Sequence, residues 1–220
     1  MIIEPVKTSF QMNYSAFSNY IYELGRQKSL ITEPELIAAG ASKDAVARLV
    51  KTGVLELVTQ GIYMPENADF GEHHTRVEVA TRFPDTVLCL ASALSFYRLT
   101  TQMPRLVWIA YQEKTLRPVE PKLPIEAIPM SEPGFSRGIE THIIEGLPVR
   151  IYSQAKTIAD CFTYEHHIGI DVAVEALDQA IREERLQISQ VLDYIEPEKL
   201  NSNTAKNLDE RIKYLSVTTA

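Results

Sequence analysis

The stretch ASKDAVARLVKTGVLELVTQGIYM, residues 41–64, decides the N-terminal fold. Ser42 is a preferred helix N-cap and Gly53 a preferred helix terminator, so this spacing predicts a helix over residues 42–52. Two short apolar runs on either side of Gln60-Gly61 then predict a hairpin. A helix followed directly by a small hairpin is typical of a winged helix-turn-helix, although an ordinary core contains the same pair of elements.

Two further helices are predicted before this stretch. Apolar residues recur at helical spacing over residues 14–25, which predicts the first helix. Thr32 is followed three residues later by Glu35, so a capping box predicts a second, short helix that ends at Gly40. Three helices followed by a two-stranded ribbon predict a winged helix-turn-helix domain over residues 14–66.

The remaining sequence predicts a larger domain of a different kind. Residues 1–13 are predicted to be a flexible arm and residues 67–71 a linker. Residues 72–220 mix helical and strand patterns and end in helices, so the fold class predicted for the chain is α+β, with a helical C-terminal end. Five prolines within residues 115–134 predict an irregular loop with at most a short strand at 125–128.

Composition limits the function classes. The chain has 220 residues and a formal net charge of −7, which argues against a surface that is basic all over. A local positive docking face is still compatible with that charge. The N-terminus lacks a basic stretch leading into an apolar one, and no apolar run approaches the roughly 20 residues of a membrane helix. We therefore expect a cytoplasmic protein.

No motif predicts an enzyme, a metal site or a cofactor. The sequence has no nucleophile elbow, no phosphate-binding loop and no dinucleotide fingerprint. Cys89 and Cys161 lie in apolar runs without a nearby cysteine partner, so they are predicted to be buried thiols, and Asp160 is predicted to pack or cap rather than react. The five histidines lack zinc-ligand spacing and are predicted to lie on the surface: His73, His74, His142, His166 and His167.

The helix over residues 42–52 supplies the candidate DNA contacts, because the third helix of a helix-turn-helix enters the major groove. Arg48 can bond a guanine with two hydrogen bonds, and lysines can neutralise phosphates. The candidates on this helix are Ser42, Lys43, Asp44, Ala47, Arg48 and Lys51, with Lys28 and Gln60 predicted to contact the DNA backbone. The same pattern also fits an ordinary solvated helix face, and winged helices also serve as protein-interaction modules.

Residues 98–122 form a second candidate surface. They hold five basic and two acidic side chains together with Trp108 and Tyr111. This composition fits a surface for nucleic acid or for a protein partner, and it equally fits a strand with a solvated loop beside it.

Several segments together resemble the AbiEi-type antitoxin family, the antitoxins of abortive-infection toxin–antitoxin pairs. The segments are Gly61-Ile62-Tyr63 in the hairpin, LCLASALSFYRLT at 88–100, VRIYSQAKTIADCF at 149–162 and DVAVEALDQAIREERL at 171–186. They occur in the family's order, and the resemblance covers most of residues 14–186.

The resemblance implies a recognition helix at residues 42–52 and a wing at 58–63, which adds Tyr63 to the candidate DNA contacts. It implies a protein that binds inverted repeats in its own promoter, represses that operon and counters a nucleotidyltransferase-like toxin, with direct binding of the toxin left open. Gln60 departs from the basic residue often found before the wing glycine, and Tyr97-Arg98 departs from the family's histidine-glycine. A solitary regulator without a toxin partner would have the same features.

Overall fold

The computed structural model of the chain describes residues 14–218, so the predicted arm at residues 1–13 lies outside the described residues. Within them the fold is mixed α+β, as predicted, with one three-stranded and one five-stranded sheet. The chain divides into two compact units: a first unit up to Arg82 that includes Ile143–Leu147, and a second unit of Phe83–His142 and the residues from Pro148 onwards. None of the described helices combines the length and the apolar character needed to span a membrane.

The first unit contains the three helices and the hairpin predicted from the sequence. Its elements are α1 Tyr14–Gly25, β1 Ile31–Thr32, α2 Glu33–Ala38, α3 Lys43–Lys51, β2 Leu55–Thr59, β3 Ile62–Pro65 and α4 His74–Arg82. The strands form an antiparallel sheet in the order β1-β3-β2. Strand β1 is absent from the prediction, because two residues are too few to show the alternation that marks a strand.

Local capping interactions fix the N-terminal ends of α2 and α3. The Thr32 side chain accepts a hydrogen bond from the Glu35 backbone N–H, and the Glu35 carboxylate accepts one from the Thr32 backbone N–H at 2.9 Å. This reciprocal arrangement is the predicted capping box. The apolar faces of the three helices meet in a core that includes Ile21, Leu36 and Leu49.

We expect Thr32→Ala to lower the free energy of unfolding by about 1 kcal/mol, because it removes the side-chain oxygen that caps α2. Urea unfolding followed by circular dichroism measures this loss. The exposed Gln27→Ala is the control and should be close to neutral. Equal unfolding free energies for the two variants would show that the cap does not stabilise the unit.

The predicted linker at residues 67–71 packs within the first unit. The Asn67 side chain donates a hydrogen bond to the Tyr22 carbonyl at 2.7 Å. In helix α4, which follows, the Arg82 guanidinium donates a hydrogen bond to the Val58 carbonyl at 3.0 Å. These bonds join residues far apart in sequence, so the division between the units falls after Arg82 rather than at residues 67–71.

The second unit combines a mixed sheet with a set of helices. Its elements are β4 Val87–Leu88, α5 Leu90–Phe96, β5 Val107–Gln112, β6 Ile125–Met130, β7 Ile139–Ile144, β8 Leu147–Tyr152, α6 Gln154–Thr163, α7 Glu165–Ile168, α8 Ile170–Arg182, α9 Ile188–Leu192, a 3₁₀ turn at Pro197–Lys199 and α10 Ser202–Thr218. The tip of the β7–β8 hairpin belongs to the first unit. The strand order is β6-β5-β4-β8-β7, and β6 runs parallel to β5.

Strand β6 begins at Ile125, where the sequence predicts at most a short strand, and continues two residues beyond the predicted 125–128, to Met130. It is six residues long and pairs without a register shift with β5. The first pair joins Ile125 to Val107, and the last joins Met130 to Gln112. Its Pro129 is tolerated because β6 lies at the end of the strand order, where a missing N–H need not break a ladder.

His74 corrects the prediction that all histidines lie on the surface. Only 6% of its surface is exposed. Its Nε2 lies 3.5 Å from a Glu78 carboxylate oxygen, and its ring packs against Phe70. Its place on the inner side of α4, one turn before Glu78, explains the burial. Cys89 and Cys161 are fully buried, as predicted.

Helix α6 carries a buried ion pair. Lys156 and Asp160 are 3% and 4% exposed, and the Lys156 ammonium donates a hydrogen bond to Asp160 Oδ1. The ammonium also lies 4.7 Å from the centre of the Tyr152 ring. Burial raises the pKa of Asp160 to about 6, and Lys156 limits that rise. Asp160 Oδ2 is buried without a hydrogen-bond partner among the described residues, so the carboxylate depends on Lys156 for its stabilisation.

Candidate nucleic-acid interface

The exposed side of α3 brings the predicted DNA contacts together. Val46 and Leu49 are buried at 3% and 0% exposure, so the helix presents its opposite side to solvent. Asp44, Ala47, Arg48 and Lys51 are exposed on that side, and Ser42 and Lys43 are exposed at the start of the helix. Because the apolar residues recur at helical spacing, the polar residues share one face, as the sequence predicts.

Ser42 has a structural role at the start of α3. Its hydroxyl oxygen accepts a hydrogen bond from the Ala45 backbone N–H at 3.2 Å and so caps α3. A hydroxyl has one donor besides its lone pairs, so the O–H of Ser42 can still donate to a phosphate or a base. The cap fixes the helix end from which Lys43 and Asp44 project.

Two candidate lysines lie beside carboxylates of α2. Lys43 is 84% exposed along its side chain and lies 4.0 Å from Glu33, at the limit of an ion pair. Such an exposed contact contributes little, so Lys43 can turn towards a phosphate at small cost. Lys28 donates a hydrogen bond to Glu35, and these two side chains are 37% and 39% exposed.

The Lys28–Glu35 pair is more tightly bound into the unit. Partial burial raises the pKa of Glu35, but hydrogen bonds from Lys28 and Thr32 outweigh burial and lower it overall. The carboxylate is therefore ionised near neutral pH and holds Lys28 close to α2. A phosphate contact by Lys28 would compete with this pair.

The hairpin β2–β3 places Gln60 and Tyr63 in different environments. Gln60 is exposed at the tip, beside Gly61, whose φ of +78° is favourable for glycine. The Gly61 carbonyl accepts a hydrogen bond from the Glu33 backbone N–H at 2.7 Å, which ties the tip to the start of α2. Tyr63 pairs with Ile31 inside the sheet and packs against the core, so it is less accessible than Gln60.

Arg82 supports the hairpin, and the sequence alone does not predict this role. Its guanidinium donates to the Val58 carbonyl at 3.0 Å and to Glu78 at 2.8 Å, and it lies 3.8 Å from Glu56. The four-residue spacing of Glu78 and Arg82 is a visible signal for a helical ion pair. The bond to β2 has no such signal, because it joins segments distant in sequence.

The local charge around α3 is close to balanced. Residues 26–63 contain five basic and four acidic side chains. Attraction to nucleic acid would therefore depend on how Lys43, Arg48 and Lys51 are arranged on one helix face, and not on a large net charge.

Comparison with known proteins bears on the fold. No protein-family model matches the chain, and a search of curated proteins finds no match. Among solved structures, the chain is similar to the crystal structure of the RV2827C protein from Mycobacterium tuberculosis, at 12% sequence identity and a TM-score of 0.56. The similarity covers 98% of this chain and 81% of that chain. At this identity it shows a shared fold and nothing about function.

Proposed function

We propose that this protein is a sequence-specific DNA-binding repressor of its own operon and the antitoxin of a toxin–antitoxin pair. In this proposal α2 and α3 form a helix-turn-helix, and the β2–β3 hairpin is its wing. Helix α3 enters the major groove, where Arg48 and Asp44 face base edges and Lys43 and Lys51 face phosphates. Gln60 at the hairpin tip contacts the neighbouring backbone.

The observation that carries the DNA-binding proposal is the exposed side of α3. Six candidate residues, from Ser42 to Lys51, are all exposed on a helix whose apolar side is buried. The preceding helix α2 ends at Ala38, so a short turn separates the two helices, as a helix-turn-helix requires. The hairpin then follows α3 after three residues, which keeps its tip close in sequence to the proposed recognition helix.

The antitoxin part of the proposal rests on the AbiEi-type resemblance. It assigns the second unit to countering a nucleotidyltransferase-like toxin encoded beside this protein. Co-expression of the neighbouring gene with and without this chain tests it, with growth as the measurement. Growth arrest by the neighbour that this chain relieves supports the antitoxin. A harmless neighbour, or arrest that this chain does not relieve, leaves a solitary regulator as the better description.

We expect the chain to bind DNA from upstream of its own gene more tightly than a scrambled duplex of equal length. Binding should weaken with salt, because lysine–phosphate contacts release counterions; two or three such contacts predict a slope of log K against log salt of about −2 to −3. Fluorescence anisotropy with labelled duplexes at several salt concentrations measures both quantities. Equal affinity for promoter and scrambled DNA would refute the sequence-specific proposal.

A protein-interaction adaptor is the second candidate, and it is favoured by the carboxylates Glu33 and Glu35 beside Lys43 and Lys28. These pairs reduce the positive potential that DNA would meet. Size-exclusion chromatography with the neighbouring gene product, run beside the anisotropy measurement, separates the two functions. Stable co-elution without salt-sensitive DNA binding would favour the adaptor.

A further inference from the structure

The second unit contains an apolar pocket that the proposed DNA-binding function does not use. The pocket has a volume of about 320 Å³ and lies between helix α5, the residues before β5, and the segment from α7 into α8. Its walls include Leu94, Trp108, Ile168 and Val172. Leu94 and Val172 are buried at 0% and 7% exposure, so the apolar surface reaches the interior of the unit. Pockets of this size and lining are typical of small-molecule sites.

One permanent positive charge lines the pocket. Arg105 is exposed, and among residues 14–218 it has neither an ion pair nor a side-chain hydrogen bond. Burial and then the neighbouring His166 lower the pKa of His167, which also lines the pocket, so its imidazole is mostly uncharged near neutral pH. The negative charge of Glu126 opposes this effect and raises the pKa of His167. Glu126 lies 3.9 Å from Arg117, which partly neutralises it.

The exposed rim of the pocket combines polar side chains with the apolar Met103 and Leu106. Met103 lines the pocket and is 82% exposed. Its apolar thioether chain would be stabilised by contact with an apolar ligand. Trp108 is partly buried, and its ring lies 5.9 Å from the His167 ring in an edge-on arrangement. A ligand with a flat or branched apolar body would therefore contact Trp108 on the inside and Met103 at the mouth.

We infer that this pocket is a binding site for a small apolar carboxylate, whose hydrocarbon body fills the pocket and whose carboxylate bonds Arg105. The guanidinium matches a carboxylate through two parallel N–H donors, and it repels a cationic head group. A volume of about 320 Å³ suits a small molecule rather than a protein segment, which would need a much larger contact area.

The sole tryptophan of the chain is Trp108, so its fluorescence reports directly on the pocket. Three probes with one apolar body and different head groups test the inference: 4-phenylbutyrate, 4-phenylbutan-1-ol and 4-phenylbutylamine. We expect 4-phenylbutyrate to change Trp108 emission saturably and to bind about tenfold more tightly than the alcohol, because its carboxylate gains a charge-assisted hydrogen bond. The amine should bind more weakly than the alcohol.

Two variants and a control make the result specific. Arg105→Gln should weaken the binding of 4-phenylbutyrate by about tenfold and leave the affinity for the alcohol unchanged. The variant would then no longer prefer the carboxylate to the alcohol. Ala91→Phe, which fills the pocket from α5, should weaken both ligands. Lys122→Gln removes an exposed charge of the same basic segment outside the pocket lining and should leave all affinities unchanged. Thermal unfolding shows that each variant is folded.

The inference is overturned by any of three results. The first is an absence of saturable emission change with 4-phenylbutyrate at millimolar concentrations. The second is equal affinity for the carboxylate and the alcohol, since Arg105 would then not recognise the head group. The third is a folded Arg105→Gln variant that keeps the full preference for the carboxylate.

Discussion

Lys156→Met should lower the free energy of unfolding by about 3–5 kcal/mol near neutral pH, because it leaves the carboxylate of Asp160 buried and unpaired. Methionine keeps most of the length of the lysine chain, so the loss reports mainly on the missing charge. The double variant Lys156→Met/Asp160→Leu removes both charges and should recover most of the stability. Urea unfolding followed by circular dichroism measures all three proteins.

An exposed pair with the same spacing is the control for this experiment. Lys206 and Glu210 lie 3.7 Å apart on α10, with side chains 73% and 62% exposed. Lys206→Met should therefore cost less than about 1 kcal/mol. A loss of that small size for Lys156→Met would contradict the account of the buried pair, as would a double variant no more stable than the single one.

The loss caused by Lys156→Met should also depend on pH. The pKa of Asp160 is already raised from 3.8 to about 6 by burial, and removing Lys156 raises it further. A group whose folded-state pKa is raised loses its contribution to stability as pH rises through that pKa. At about pH 5 the carboxyl group of the variant is protonated and neutral, so we expect a smaller loss there than near neutral pH.

The first unit shows why local signals allow much of a fold to be predicted. The ends of α2 and α3 depend on caps formed by Thr32 and Ser42 with residues three positions away, so the sequence contains the whole interaction. The exposed face of α3 follows from helical spacing in the same way. The environment of Lys28 depends instead on its ion pair with Glu35, and that of Tyr63 on pairing with β1. The sequence pattern reveals neither contact.

The second unit shows what local signals leave out. Strand β6 contains a proline and follows a proline-rich loop, so only its pairing with β5 makes it a strand. Lys156 and Asp160 have the four-residue spacing of a helical ion pair, which is visible in the sequence. Their burial depends on helices α5, α8 and α9 packing around α6, and the spacing of residues within α6 does not reveal that packing.

Arg48→Ala should weaken binding to the promoter duplex by about 1–3 kcal/mol, or roughly 5- to 150-fold, if Arg48 bonds a guanine as proposed. The same substitution should change binding to scrambled DNA much less, so the preference for the promoter falls. Lys51→Ala should instead weaken both duplexes equally and make the salt slope less steep by about one, because a phosphate contact carries no sequence information. Fluorescence anisotropy at fixed salt measures the first effect, and a salt series the second.

Arg26 provides the matched control, because it is an exposed arginine of the same unit that lies outside α3. Its side chain is 72% exposed and lies 3.5 Å from Glu23. Arg26→Ala removes the same positive charge from the unit, so long-range attraction falls equally in both variants. If Arg26→Ala and Arg48→Ala weaken promoter binding to the same extent, the charge of the unit governs binding and the major-groove role of Arg48 is wrong. A loss confined to Arg48→Ala, together with a lower preference for the promoter, assigns sequence recognition to the exposed face of α3.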